Sequence, residues 1–198
     1  MTELEQLGPN DYQRVVDIMG KVFDDDPIQR WIFGPSMNIG LFFGLYAKRI
    51  YLKYSDSYAT PDNKAAVLFL KPGISKHVPV ISSLPLVPAM ISSGGFKSVL
   101  RGIRAETLVV RHTPSIPHYY ILGIGAVKEA RGSGYGTLLM NRCIQTAESA
   151  NMPIYLENSK EENLMFYQRF GFESIGQIDL GKGSPPMWSM IRNPTNSF

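Results

Sequence analysis

The tightest constraint on this chain's fold lies between His118 and Phe172, where an apolar run, a glycine-rich turn and a helical repeat follow one another directly. The opening of this segment, HYYILGIGAV, reads as a strand interrupted by Gly123 and Gly125. Residues 131–136, RGSGYG, put three glycines where the chain must turn, and Leu138, Leu139, Ile144 and Ala147 then recur at helical spacing. A short run, Pro153-Ile154-Tyr155-Leu156-Glu157, predicts a buried parallel strand, Asn163–Tyr167 a further helix, and Gly171-Phe172 the opening of another strand.

Glycines at the mouth of a helix let several backbone N–H groups point at one place, where the helix dipole adds positive potential, an arrangement suited to a pyrophosphate. Spacing narrows the ligand. A dinucleotide fingerprint starting at Gly132 and Gly134 requires glycine where Thr137 stands, and the G-K-[ST] of a Walker loop occurs nowhere in the chain. What stands here is R-x-x-G-x-G, at Arg131, Gly134 and Gly136.

This pattern resembles the signature of the GNAT family of N-acetyltransferases, whose turn holds the pyrophosphate of coenzyme A. The strand, the N-x-x-x-Y helix at Asn163–Tyr167 and the G-F at Gly171-Phe172 follow in the family's order and at about its distances. Asp26-Pro27 with Trp31, Lys71-Pro72-Gly73, His118-Tyr119-Tyr120, Tyr155–Ser159 and Met187–Met190 are similar to the puromycin N-acetyltransferase-like branch. The likeness is specific over 118–172, weaker at both ends and poor over 74–117, and Ala126 and Lys128 stand where that branch usually has valine and proline.

The resemblance implies an acetyl-CoA-dependent enzyme that transfers acetyl directly, in a ternary complex, to the amine of a small molecule. The alternatives are a protein lysine or N-terminal acetyltransferase and a non-catalytic acyl-CoA sensor. The implied cofactor contacts are Ile124, Gly125 and Ala126 of the strand, Arg131, Gly132, Ser133, Gly134, Tyr135 and Gly136 of the turn, and Asn163 and Phe166 of the following helix. No metal is expected. Tyr167 is the candidate general acid: an ordinary phenol, with a pKa of about 10, is protonated at neutral pH and can donate to a departing thiolate. The family resemblance places it beside the coenzyme sulfur.

Glu157 is the candidate group for amine activation, since a carboxylate at the end of its strand can take a proton through water or attract an ammonium. His118 is a rival, but it lies at least four residues, roughly 13 Å at strand rise, before the glycine-interrupted part of its strand. Gly123 and Gly125 predict a bulge that aims an N–H at the thioester oxygen, or else merely relieve crowding. Asp24, Asp25 and Asp26 either recruit a cationic substrate or belong to a turn that ends a helix.

The net charge of +3 with interspersed acids gives no field of one sign, so no nucleic-acid partner is expected. Lys97, Arg101 and Arg104 share a helical face, for which a solvated surface is favoured over a phosphate or membrane patch. Cys143 is the single cysteine and predicts buried packing. With no basic-then-apolar start and no long apolar span, a cytoplasmic protein that contacts no membrane, monomer or homodimer, is the expectation.

The 198 residues and 44% apolar content suit one domain, 1–198, with a helix and loop insert at about 74–117. Asn10 is positioned to cap a helix with Val15, Ile18, Met19, Val22 and Phe23 on one face, ended by Asp26-Pro27. A second helix fits 37–54, and a hairpin joins 57–60 to 65–70. Helices are expected near 84–92 and 96–110, and a strand pair over 172–178 and 187–191. Hairpins first and βαβ units later predict an α/β fold, a mixed, central twisted sheet with helices on both faces.

Overall fold

The computed structural model of the chain describes residues 3–195. Seven strands make one sheet: β1 (Glu5–Gln6), β2 (Tyr58–Ala59), β3 (Ala65–Leu70), β4 (Tyr119–Ala126), β5 (Ile154–Asn158), β6 (Glu173–Ile178) and β7 (Met187–Arg192). Their spatial order is β1-β2-β3-β4-β5-β7-β6, with β4 and β5 parallel and every other neighbouring pair antiparallel. The expected mixed α/β sheet is therefore present, and it carries helices on both faces.

The two faces follow from the alternation of side chains along a strand. Ala66, Leu68 and Leu70 of β3 pack beneath α1 (Tyr12–Val22), α2 (Pro27–Phe33) and α3 (Gly40–Tyr46). Ala65, Val67 and Phe69 point the other way, toward α7 (Tyr135–Ser149) and α8 (Leu164–Arg169). Cys143 of α7 is fully buried on this second side, as its apolar neighbours predict, and burial pushes its thiol up well beyond the usual range.

Three local expectations are corrected. Asp11, not Asn10, occupies the cap position of α1, and its carboxylate accepts from the Gly8 N–H at 2.7 Å. Asp26-Pro27 does not end that helix. Helix α1 has stopped at Val22, and Asp26 caps α2, accepting from Gln29 N at 2.9 Å with Pro27 in the first turn, where its missing N–H costs nothing. The helix expected over 37–54 begins at Gly40 and contains a wider turn at Ala47–Tyr51, a π-helical step, before α4 (Leu52–Tyr54).

The 74–117 segment forms a 3₁₀ stretch (Val80–Leu86), α5 (Val87–Gly94) and α6 (Phe96–His112), and α6 crosses the end of α2. Lys97 is exposed as expected, but Arg101 and Arg104 are not simply solvated. Arg101 stacks on Trp31 and donates to its carbonyl at 2.8 Å, and Arg104 donates to Leu180 O at 2.7 Å. These guanidiniums tie α6 to α2 and to the β6–β7 connection.

Candidate active site

Strands β4 and β5 pair only from Tyr119↔Ile154 to Ile121↔Leu156 and then part. Beyond that point β4 runs on as Leu122–Ala126 beside β3, and β5 as Glu157 and Asn158 beside β7. A groove of about 540 Å³ opens in the gap. Its walls are β4 from Ile121 to Ala126, the turn before α7, the end of β5 and the first turns of α8.

The bulge expected at Gly123 and Gly125 is present one residue earlier. Leu68 faces Gly123 and Phe69 faces Ile121, leaving Leu122 without a partner on β3. The two glycines have a different job. A Cβ at Gly123 would lie 2.8 Å from the Phe43 ring, and one at Gly125 would lie 2.6 Å from Val22, so α1 and α3 settle onto β4 only because both side chains are missing.

At the turn, Gly134 takes φ +87°, a conformation other residues adopt only with strain, and so opens α7 with its N–H groups turned outward. Arg131 N and Ser133 N are engaged by Lys128 O and Ala130 O, both at 3.3 Å. The backbone N–H groups of Gly132, Gly134, Tyr135, Gly136 and Thr137, all on the groove wall, have no acceptor among the described residues. Ile124, Gly125, Ala126, Arg131, Gly132, Gly134, Tyr135, Gly136, Asn163, Phe166, Tyr167 and Glu157 all line the groove. Ser133 does not: its hydroxyl donates to Ala130 O at 2.6 Å and closes the turn from behind.

Tyr167 is 7% exposed, packed edge-on against Phe166 and Phe172, yet its hydroxyl has no hydrogen-bond partner among the described residues. Burial, with Asp26 adding to it, pushes the phenol well above the ordinary tyrosine range. It stays protonated and unengaged, facing the groove.

Glu157 is placed where β4 and β5 separate, but it is not alone there. Lys76 Nζ lies 2.9 Å from one oxygen and the Tyr120 hydroxyl donates to the other at 2.6 Å. The pair is buried, with Lys76 8% and Glu157 6% exposed, and the ammonium sits 3.9 Å from the Tyr120 ring centre and 5.2 Å from that of Tyr155. Lys76 comes from the segment before the insert helices and escaped the sequence reading, because 81 positions separate it from Glu157. His118 lines neither the groove nor its neighbour. Its Nδ1 is 2.7 Å from Ile116 O, its ring abuts Tyr155, and burial holds its pKa below the usual value.

The three aspartates go three ways. Asp24 pairs with Arg30. Asp25 receives both Arg131 guanidinium nitrogens at 2.9 and 3.1 Å and Lys160 Nζ at 2.7 Å, and the Arg131 bonds above all drive its carboxyl far below the usual range. Asp26, 2% exposed, caps α2 and accepts from Ser159; burial raises its pKa despite those bonds. Asp25 thus laces the loop before α2 to both rims of the groove.

A second cavity of about 130 Å³ adjoins the first, with Phe23, Asp26, Leu122, Glu157 and Ser159 common to both walls. Helices α2 and α6 line it, and Glu106, on its wall, holds Tyr46 OH at 3.1 Å and His77 Nδ1 at 3.0 Å. Among the described residues no cluster of His, Cys, Asp and Glu is arranged to hold a metal ion, and no helix is long and apolar enough to cross a membrane.

Residues 105–172 match the sequence model of the acetyltransferase (GNAT) family. An uncharacterized N-acetyltransferase of Schizosaccharomyces pombe is 30% identical over 101 residues, which is 50% of this chain and 40% of that protein. The match therefore spans about two fifths of the length of this curated relative. Solved structures share the architecture: a Corynebacterium glutamicum protein described as histone acetyltransferase HPA2 and related acetyltransferase (TM-score 0.71, 23% identity, 98% of each chain), and arylalkylamine N-acetyltransferase 2 of Aedes aegypti (TM-score 0.64, 12% identity, 96% of this chain and 98% of that one). Chaetomium thermophilum Naa20, solved with a bisubstrate analogue, is similar over 97% of this chain and 86% of its own (TM-score 0.54, 15% identity). The fold is that of these solved acetyltransferases, and the match to the GNAT family model falls on the segment that forms the groove.

Proposed function

We propose that this chain is an acetyl-CoA-dependent N-acetyltransferase acting on a small-molecule amine. The observation that carries the reading is the gap between β4 and β5, which puts the outward N–H groups of the glycine turn and the unengaged Tyr167 hydroxyl on one continuous groove. A pyrophosphate at Gly132, Gly134, Tyr135 and Gly136 leaves the pantetheine arm to run along Ile124, Gly125 and Ala126, whose backbone on the β5 side has no strand partner. Asn163 and Phe166 flank that arm. The thioester then lies toward Tyr167.

Transfer joins the nitrogen of the neutral amine to the acetyl carbon and breaks the carbon–sulfur bond; the nitrogen gives up one proton to water and the thiolate receives one. Tyr167 is suited to give that proton because its hydroxyl is protonated and uncommitted. Glu157 is suited to order the amine through water. With Lys76 and Tyr120 already bonded to it, its role is orientation and charge balance at the mouth between the two cavities, more than direct proton removal.

The small-molecule reading over a protein substrate rests on the insert, since α6 lines the second cavity beside the groove and narrows the space left for an extended peptide. The likeness to the puromycin N-acetyltransferase-like branch points the same way. Release of free thiol from acetyl-CoA, measured across amines, aminonucleosides and peptides, tests the proposal; no amine-dependent thiol release with any of them would refute it.

A further inference from the structure

We infer that the outer face of α6 is a docking surface for an anionic lipid bilayer, on which the helix lies flat in the headgroup layer.

Among the described residues, nine of the twelve large apolar side chains left open to solvent belong to the 74–117 segment. Four of them, Phe96, Leu100, Ile103 and Val110, are 67, 54, 50 and 40% exposed. Their spacing of four, three and seven residues puts them on one stripe of α6, about 21 Å long at the usual helical rise. Ser98 and Ala105, which the helix buries, lie on the opposite side. The stripe is therefore a second apolar face, separate from the one that packs α6 onto the protein. Ile91 of α5 and Ile81 and Leu84 of the 3₁₀ stretch are exposed as well. A large apolar surface held open to water marks a place of contact.

Charge names the occupant. Lys97, Arg104 and Arg111 recur every seven residues along one flank of the stripe, and all three are exposed. Arg104 donates to a neutral carbonyl, Leu180 O, a bond that leaves its charge in place. The 74–117 segment holds five cations against one acid, Glu106, which bonds to Tyr46 and His77 on the other flank. The neighbouring β6–β7 connection adds Asp179 and Lys182, which cancel. Two-fold pairing of the stripe with itself brings cations toward cations, which disfavours a second copy of the chain. A peptide partner fits a groove, whereas this stripe is a convex ridge that lines neither cavity. A bilayer with acidic headgroups suits both features, because it takes up apolar side chains at the acyl boundary and attracts the lysine and arginines beside them. Such a helix lies in the interface without crossing it, so the lack of a spanning helix among the described residues is no obstacle. The expectation that the chain contacts no membrane is set aside.

The test is sedimentation of the full chain with vesicles, either of phosphatidylcholine alone or with about 30% phosphatidylserine. Expected is binding to the acidic vesicles at least tenfold tighter than to the neutral ones at low salt, with most of that difference gone at about 0.5 M salt. In Phe96→Ser/Leu100→Ser, binding to the acidic vesicles should fall at least tenfold. In Lys97→Gln/Arg111→Gln it should fall several-fold and depend less on salt. All four side chains are exposed, so a thermal melt should find both variants as stable as the unaltered protein. No preference for acidic vesicles overturns the inference, and so does full binding by Phe96→Ser/Leu100→Ser. Light scattering on the same proteins tests the main rival: a dimer that Phe96→Ser/Leu100→Ser splits, in a protein that ignores vesicles, assigns the stripe to a second copy instead.

Discussion

In Tyr167→Phe the ring keeps its edge-on contacts with Phe166 and Phe172, and only the hydroxyl is lost. That hydroxyl bonds to nothing among the described residues, so the stability of an ordinary hydrogen bond, about 1 kcal/mol, is not forfeited. The melting temperature should therefore change by no more than about 2 °C, given roughly 2–4 °C per kcal/mol for a chain of this size. Turnover is affected quite differently. If the phenol protonates the departing thiolate, its removal slows transfer by about 10²–10⁴-fold, or roughly 3–5 kcal/mol of barrier. Thiol release under saturating acetyl-CoA and amine, beside a thermal melt and a calorimetric coenzyme A titration, separates the two effects. Wild-type turnover in the variant would refute the assignment, as would a rate loss matched by a drop of many degrees in melting temperature. Because burial raises the phenol, ionisation of Tyr167 should not depress activity up to pH 10. The raised phenols of Tyr120 and Tyr167 also make folding sensitive to alkali. Their stabilisation is complete below the unfolded pKa of about 10 and declines as pH rises above it, when only the unfolded chain ionises readily.

Lys76→Met strands the buried Glu157 carboxylate and should cost about 3 kcal/mol or more in urea denaturation, with part of the loss recovered in Lys76→Met/Glu157→Gln; an additive double variant would show the pair is uncoupled. Asp25→Asn frees Arg131 and Lys160 at the groove's rims, so coenzyme A should bind several-fold tighter at low salt, and the gain should vanish at high salt; weaker binding would mean that Asp25 organises the site instead of competing with the phosphates. Gly134→Val forces a β-branched residue to φ +87° and should weaken coenzyme A binding at least tenfold by calorimetry, whereas unchanged binding would move the pyrophosphate elsewhere.

The segment from β4 through α8 was legible because its signals are local: a change of apolar period from strand to helix and glycines at the junction suffice to place β4, α7 and β5. The helix start at Asp26 was misread as a stop, since an Asp-Pro pair serves either purpose and only the residues packed around it decide. Glu157 and Tyr167 were found through their positions in a family-like pattern, and both line the groove. Lys76 and Glu106 were not, for a physical reason. Their partners come from distant segments, and nothing in the local pattern of a lysine or glutamate announces which groups it will meet. Arg101 and Arg104 illustrate the converse, looking like a solvent face until Trp31 and Leu180 meet them.

The strand order at one side of the sheet, β5-β7-β6, has a kinetic consequence. During synthesis β6 leaves the ribosome before β7, yet it cannot join β5, because the berth beside β5 belongs to a strand not yet made. The backbone edge of β5 waits unpaired, next to the parting of strands that forms the groove, and such edges invite pairing with other chains. Met187 opens β7 and also walls the small cavity. Strand β7 thus completes the wall of the small cavity and covers the open edge of β5 together, so a nascent chain halted before Met187 should aggregate, and that tendency should fall once β7 has docked.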